Sequence, residues 1–151
     1  MYNSGLNEAA LGGVFIVIIL IAIAIALIPM IFFLITQQNT LKAVSPELRK
    51  MSPGNVWLQL IPLFGMVWQF MVVSAIADSL KAEYAKRNIP VQEDRPSYGI
   101  GLTYCILFVC GIIPFLGGLA SLGGLVCWII YWVKIAEYKN KLAAMVPPAG
   151  F

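Results

Sequence analysis

The chain has 151 residues, 60% of them hydrophobic and only 11% charged, where an ordinary soluble domain carries roughly 25% charged residues. A core of this size hides roughly sixty or seventy apolar side chains, so the surplus faces lipid and a conventional water-soluble globule is excluded. Ten Lys and Arg against seven Asp and Glu leave +3, too weak and too scattered for nucleic acid, and the absence of His removes the commonest general base and the commonest metal ligand together.

Residues 1–10 hold Glu8 and neither Lys nor Arg, and the apolar run that follows is too long for the core of a signal peptide, so a cleaved leader is not expected. Residues 11–35 are twenty-five positions without a charge. About twenty helical residues cross a ~30 Å hydrocarbon core, which makes this the first expected transmembrane helix. Residues 36–55 read as a polar surface connector with two Ser-Pro steps and Lys42, Arg49 and Lys50.

Residues 56–77 are again uncharged and predict a second span, continued by a helical extension over 78–87. In that extension Ile76, Leu80 and Tyr84 repeat at i, i+4, i+8 and Glu83 reaches Arg87 at i+4, which predicts one apolar face, a second ion-paired face and a solvated helix end. Pro90 and Pro96 break the helix in the next connector. Residues 99–136 contain no charge except Lys134 and are too long for one crossing. They are expected to fold back at Gly117-Gly118 into spans 99–116 and 119–136, followed by a helical extension over 137–145. The predicted architecture is therefore an all-α integral membrane protein, one domain over 1–151, with four transmembrane helices in a compact bundle and a tight Gly-rich hairpin between helices 3 and 4.

A weak internal echo links Ile61-Pro62-Leu63-Phe64-Gly65 with Ile113-Pro114-Phe115-Leu116-Gly117, and Ile76-Ala77-Asp78 with Ile135-Ala136-Glu137. The spacings differ between the halves, which favours convergent membrane composition over duplication. With four spans, seven Lys and Arg fall with the termini and second connector and three with the first connector, so both termini are expected on the cytoplasmic side. Trp57, Trp128, Trp132 and Lys134 are expected as interfacial anchors.

Candidate intramembrane polar and packing residues are Gln59, Pro62, Gly65, Gln69, Thr103, Gly117, Gly118 and Gly124. Gln69 is expected to hydrogen-bond between helices, and the glycines either to pack helices closely or to supply positive φ at a turn. Asp78 and Lys134, each at a membrane boundary, are expected to pair. Cys105, Cys110 and Cys127 lie in apolar runs and suggest no disulfide. Nucleophile, metal and phosphate-loop signatures are missing, so no catalytic residue, no metal and no cofactor is expected. Glu93-Asp94-Arg95 reads as a solvated charge run.

The core Trp57-Leu58-Gln59-Leu60-Ile61-Pro62-Leu63-Phe64, followed by Ile76-Ala77-Asp78-Ser79-Leu80, Tyr98-Gly99 and Ile130-Tyr131-Trp132-Val133-Lys134-Ile135-Ala136, resembles an uncharacterised bacterial family of small multi-pass membrane domains, the kind named domain of unknown function 4328. The resemblance covers roughly residues 40–142 and implies a multi-pass inner-membrane protein with no assigned activity. The expected function is that of a non-enzymatic structural, scaffold or accessory subunit whose partners are the lipid bilayer and further copies or a larger membrane complex. A small homo-oligomeric channel or transporter lined by Gln59, Gln69 and Thr103 is the alternative.

Overall fold

The computed structural model describes residues 2–145, with side chains from residue 7 onward, and no strand occurs among the described residues. The α-helices are α1 (Tyr2–Ala43), α2 (Phe64–Lys86), α3 (Tyr98–Cys110) and α4 (Gly117–Ala144), and two 3-10 helices, Pro46–Leu48 and Pro53–Leu60, lie between α1 and α2. By its contacts the chain divides into two compact units, Met1–Phe33 and Leu34–Phe151.

The first unit is a helix whose side chains from residue 7 to 28 are exposed on every face, Leu11, Phe15 and Ile25 among them. Its apolar residues have no stripe that a partner surface could cover, so the sequence there is apolar all round, the pattern of a helix surrounded by hydrocarbon. Two helices are long and apolar enough to cross a membrane, Asn7–Ala43 and Gly117–Ala144.

In the second unit the expected spans keep their helical character but not their boundaries. The 56–77 segment is not one helix. Its first part is the 3-10 helix Pro53–Leu60, the chain turns at 61–63, and α2 then runs on to Lys86, so the expected 78–87 extension is continuous with it. Pro53 starts the 3-10 helix and Pro62 stops it by removing a donor. The 99–116 segment is helical only as far as Cys110. The fold-back lies at 111–116, ahead of the expected Gly117-Gly118, because Pro114 cannot continue a helix and both glycines already belong to α4. The expected 119–136 span and its 137–145 extension are a single helix, α4.

Two helical hairpins result: the Pro53–Leu60 helix packs on α2, α3 packs on α4, and α2 joins the pairs by packing on α3. Their turns are the same device used twice. In each, the residue after proline takes a positive φ, 62° at Leu63 and 75° at Phe115. In each, a glycine N–H four residues after the isoleucine closes the turn, Gly65 to the Ile61 carbonyl at 2.7 Å and Gly117 to the Ile113 carbonyl at 2.9 Å. In each, a Cβ on that glycine would strike the carbonyl oxygen of the residue six positions earlier, Gln59 or Gly111. The Ile-Pro-x-x-Gly echo is therefore a recurring structural motif. The buried Ile76 and Ile135 follow their glycines by 11 and 18 residues, a difference of seven, which is two helical turns and preserves the face.

The core lies toward one end of this unit. Leu34, Leu41, Val44, Val72, Ile76, Leu80, Tyr84, Tyr104, Tyr131, Ile135 and Leu142 are buried, whereas the turn residues Leu63 and Phe115 and the nearby Leu119 are 81%, 104% and 79% exposed.

Candidate functional site

The end opposite the turns carries a dense polar network, built mainly on the C-terminal half of α2. Glu83 is 1% exposed, and its carboxylate accepts the Ser45 backbone N–H at 2.8 Å, the Ser45 hydroxyl at 3.1 Å and the Arg87 guanidinium at 2.8 Å. Burial works against its charge, but the bonds from the Ser45 backbone, the Ser45 hydroxyl and Arg87 outweigh it and hold the carboxyl below its ordinary value. Arg87 also donates to the Leu142 carbonyl at 3.0 Å and Tyr84 to the Tyr138 carbonyl at 2.9 Å, which ties α4 to α2. Burial pushes the Tyr84 phenol up to about 12, so it stays a neutral donor. The face expected to end in solvent is thus the packed one. Ile76, Leu80, Glu83, Tyr84 and Arg87 form one stripe at helical spacing, so the ion pair lies along the apolar face and not on a separate one.

Two connectors converge on that same stretch of α2. From the first, Ser45 reaches Glu83, Glu47 pairs with Lys86, and the Lys50 backbone N–H donates to the Ser79 hydroxyl at 2.8 Å. From the second, Asp94 pairs with Lys81 at 2.7 Å and Arg95 binds Asp78 in two-pronged fashion at 2.8 and 2.9 Å. The expectation that these connectors lie on opposite sides of a crossing helix is therefore not met, since both close on residues 78–87. The expected Asp78–Lys134 pair is replaced as well: Asp78 is taken by Arg95, and Lys134 by Glu93. Glu93 also accepts the Ser97 N–H at 2.9 Å, and the Lys134 ammonium, stronger than the opposing effect of burial, holds its carboxyl low. All three members of the Glu93-Asp94-Arg95 run thus clamp α2 and α4, where a solvated run was expected. Asn88 in a left-handed conformation, with the Ile89 N–H bonded to the Tyr84 carbonyl and the Asn88 N–H to the Ala85 carbonyl, ends α2 so that the connector folds back over it.

Below the charges lies a belt of amides and aromatic rings. Gln59 donates to Gln37 at 2.6 Å and to its own Val56 carbonyl, Trp57 donates to Gln38 at 3.2 Å, and Trp132 donates to the Thr36 hydroxyl at 2.9 Å. The Trp128 and Trp132 rings lie 5.4 Å apart. Gln59, Trp57 and Trp132 were singled out in the sequence. Their partners Thr36, Gln37 and Gln38 were not, because α1 continues to Ala43 through what reads as a polar connector. The adjacent Gln37-Gln38 pair directly after an uncharged run was the available signal.

The remaining candidates separate from this belt. Pro62, Gly65 and Gly117 belong to the turns. Gly124 is buried against α3, where a Cβ would stand 3.0 Å from the Phe108 ring and 3.3 Å from Leu107 Cβ, whereas Gly118 faces open space. No described glycine has a positive φ, so close approach rather than turn conformation accounts for Gly65, Gly117 and Gly124. Gln69 is half-buried, and Thr103 is exposed with its hydroxyl returned to the Gly99 carbonyl at 2.8 Å. Gln59 belongs to the belt through its bond to Gln37.

No protein-family model, no curated protein and no solved structure matches the chain.

Proposed function

We propose that the chain is an integral protein of the bacterial inner membrane with a non-enzymatic structural, scaffold or accessory role. The observation that carries this reading is the use of the charges: Glu47, Asp78, Glu83, Glu93, Asp94 and Glu137 each pair with a Lys or Arg of the same chain. Five of these carboxylates sit in the network that holds helices and connectors together, and Glu137 pairs within α4. The apolar surface at the other end of the same unit, with Leu63, Phe115 and Leu119 exposed, matches hydrocarbon, and partners in the bilayer, further copies or a larger membrane complex, would meet it there.

Every Lys and Arg lies between Lys42 and Lys141, and the contacts above gather their segments at one end of the second unit, so that end is the cytoplasmic one by the positive-inside rule. The C-terminal extension of α4 is cytoplasmic with it.

Purified protein reconstituted into vesicles tests the role. The scaffold reading requires that imposed ion and dye gradients persist at high protein density and that native mass measurement in detergent finds a defined self-assembly or a co-purifying membrane partner. Gradient collapse that depends on protein would replace it with the channel or transporter reading.

A further inference from the structure

We infer that the two helical hairpins are re-entrant: each enters and leaves the bilayer by the face that carries the charged network, with its Ile-Pro turn embedded among acyl chains. The inference rests on the membrane reading above and specifies what the apolar end of the second unit binds, namely hydrocarbon and not the far aqueous phase.

Length is the first argument. The Pro53–Leu60 helix, at about 2 Å per residue, climbs about 16 Å. From Phe64 to Asp78 α2 descends about 21 Å, α3 climbs about 20 Å, and α4 covers about 26 Å between Gly117 and Lys134. Measured from the charged end, the first three fall well short of a ~30 Å hydrocarbon core, and α4, long enough as a whole to cross, falls short of it above Lys134. A limb that crossed would also need something to meet the far headgroups. The turns offer Ile61-Pro62-Leu63 and Gly111-Ile112-Ile113-Pro114-Phe115-Leu116, without a charged or hydrogen-bonding side chain between them, and Leu63, Ile112, Phe115 and Leu119 are largely exposed.

The backbone supplies the second argument, because irregular chain in hydrocarbon must satisfy its own polar groups. At the first turn the N–H groups of Ile61, Phe64, Gly65 and Met66 are bonded to nearby carbonyls, that of Leu63 is not, and Pro62 has none to satisfy. At the second, those of Gly111, Ile112, Ile113 and Gly117 are bonded, those of Phe115 and Leu116 are not, and Pro114 again has none. The recurrence of proline, positive φ and glycine at both turns is then the recurrence of one solution: reverse the chain tightly while exposing few donors. Connectivity completes the case, since residues 45–50 and 93–95, which flank the first hairpin, close on the same stretch of α2.

Single cysteines introduced at exposed positions test this, with the wild-type chain, whose three cysteines lie in apolar segments, as the blank. Lys50→Cys and Asp94→Cys mark the two connectors, Asn140→Cys the end of α4, and Val67→Cys and Leu119→Cys the limbs beside the turns. Each variant is treated with a membrane-impermeant maleimide in right-side-out and in inverted membrane vesicles, after alkaline carbonate washing. The inference requires Lys50→Cys, Asp94→Cys and Asn140→Cys to label together in inverted vesicles only, and Val67→Cys and Leu119→Cys to label in neither. Labelling of Lys50→Cys and Asp94→Cys from opposite sides, or of Leu119→Cys from the far side, with the protein retained after washing, would overturn the hairpins while leaving the membrane reading in place. Release of the protein by carbonate would overturn both.

Discussion

The two turn glycines differ from their neighbours in what a single methyl group would meet. At Gly65 and Gly117 it meets a backbone carbonyl of the preceding limb, which cannot move without opening the turn, whereas at Gly118 it meets nothing within 4 Å. Gly65→Ala and Gly117→Ala are each expected to cost about 1–3 kcal/mol, the range for forced overpacking, and Gly118→Ala to leave thermal unfolding in detergent unchanged or slightly improved through its helix propensity. Equal behaviour of all three would remove the close-approach explanation. Glu83 sets a second test at this scale. Its folded carboxyl is held below the ordinary value of 4.5, as is that of Glu93. A depressed carboxylate contributes stability that is complete above its unfolded value and is lost as pH falls through its folded value. The melting temperature should therefore be level from neutral pH down to about 5 and drop below about 4.5. Glu83→Gln, which removes the charge that holds Ser45 and Arg87, should lower stability at neutral pH by about 1.5–3 kcal/mol and flatten the acid limb. An acid limb unchanged by Glu83→Gln would assign the pH dependence elsewhere.

Between elements, the second connector works as a clasp whose three consecutive charged residues reach α2 twice and α4 once. A double-mutant cycle on Asp78→Asn and Arg95→Gln should show coupling of about 0.2–1 kcal/mol, as expected of a partly exposed pair, while the cycle on Asp78→Asn and Lys134→Gln should be additive. Coupling in the second cycle and not the first would contradict the pairing. Apolar run lengths make the four α-helices legible in the sequence, because hydrophobicity without charge over twenty residues has few other outcomes in lipid. Run length does not reveal where a run bends. Residues 56–77 have the length of a span, but Pro62 divides them, and residues 99–116 are divided by Pro114 in the same way. The Ile-Pro echo marks both bends, and its second part is offset by seven residues, a shift that a helix absorbs in two turns. The buried role of Glu83 departs from the expected solvated helix end: Ile76, Leu80, Glu83, Tyr84 and Arg87 share one stripe, and a charge on an apolar stripe needs a partner beside it, which i, i+4 pairing alone does not reveal. The clasp was not legible, because three charges in a proline-flanked connector have the same composition whether water or the chain itself satisfies them.

For the molecule as a whole, the polar groups of the second unit are sorted by depth: charges paired at one end, amides and indoles in a belt, and bare hydrocarbon side chains at the turns. On the membrane reading proposed above, this order follows a bilayer from headgroup to acyl chain, with the core packed beneath the charges and the turn end left uncovered. The central claim is this depth order, and site-directed spin labelling in lipid vesicles measures it most directly. Nitroxides at Leu63 and Phe115 should collide readily with dissolved oxygen and scarcely with a water-soluble nickel chelate, while nitroxides at Lys50 and Asp94 should show the reverse. Ready access of the nickel chelate to Leu63 and Phe115 would place the turns in water and contradict the account.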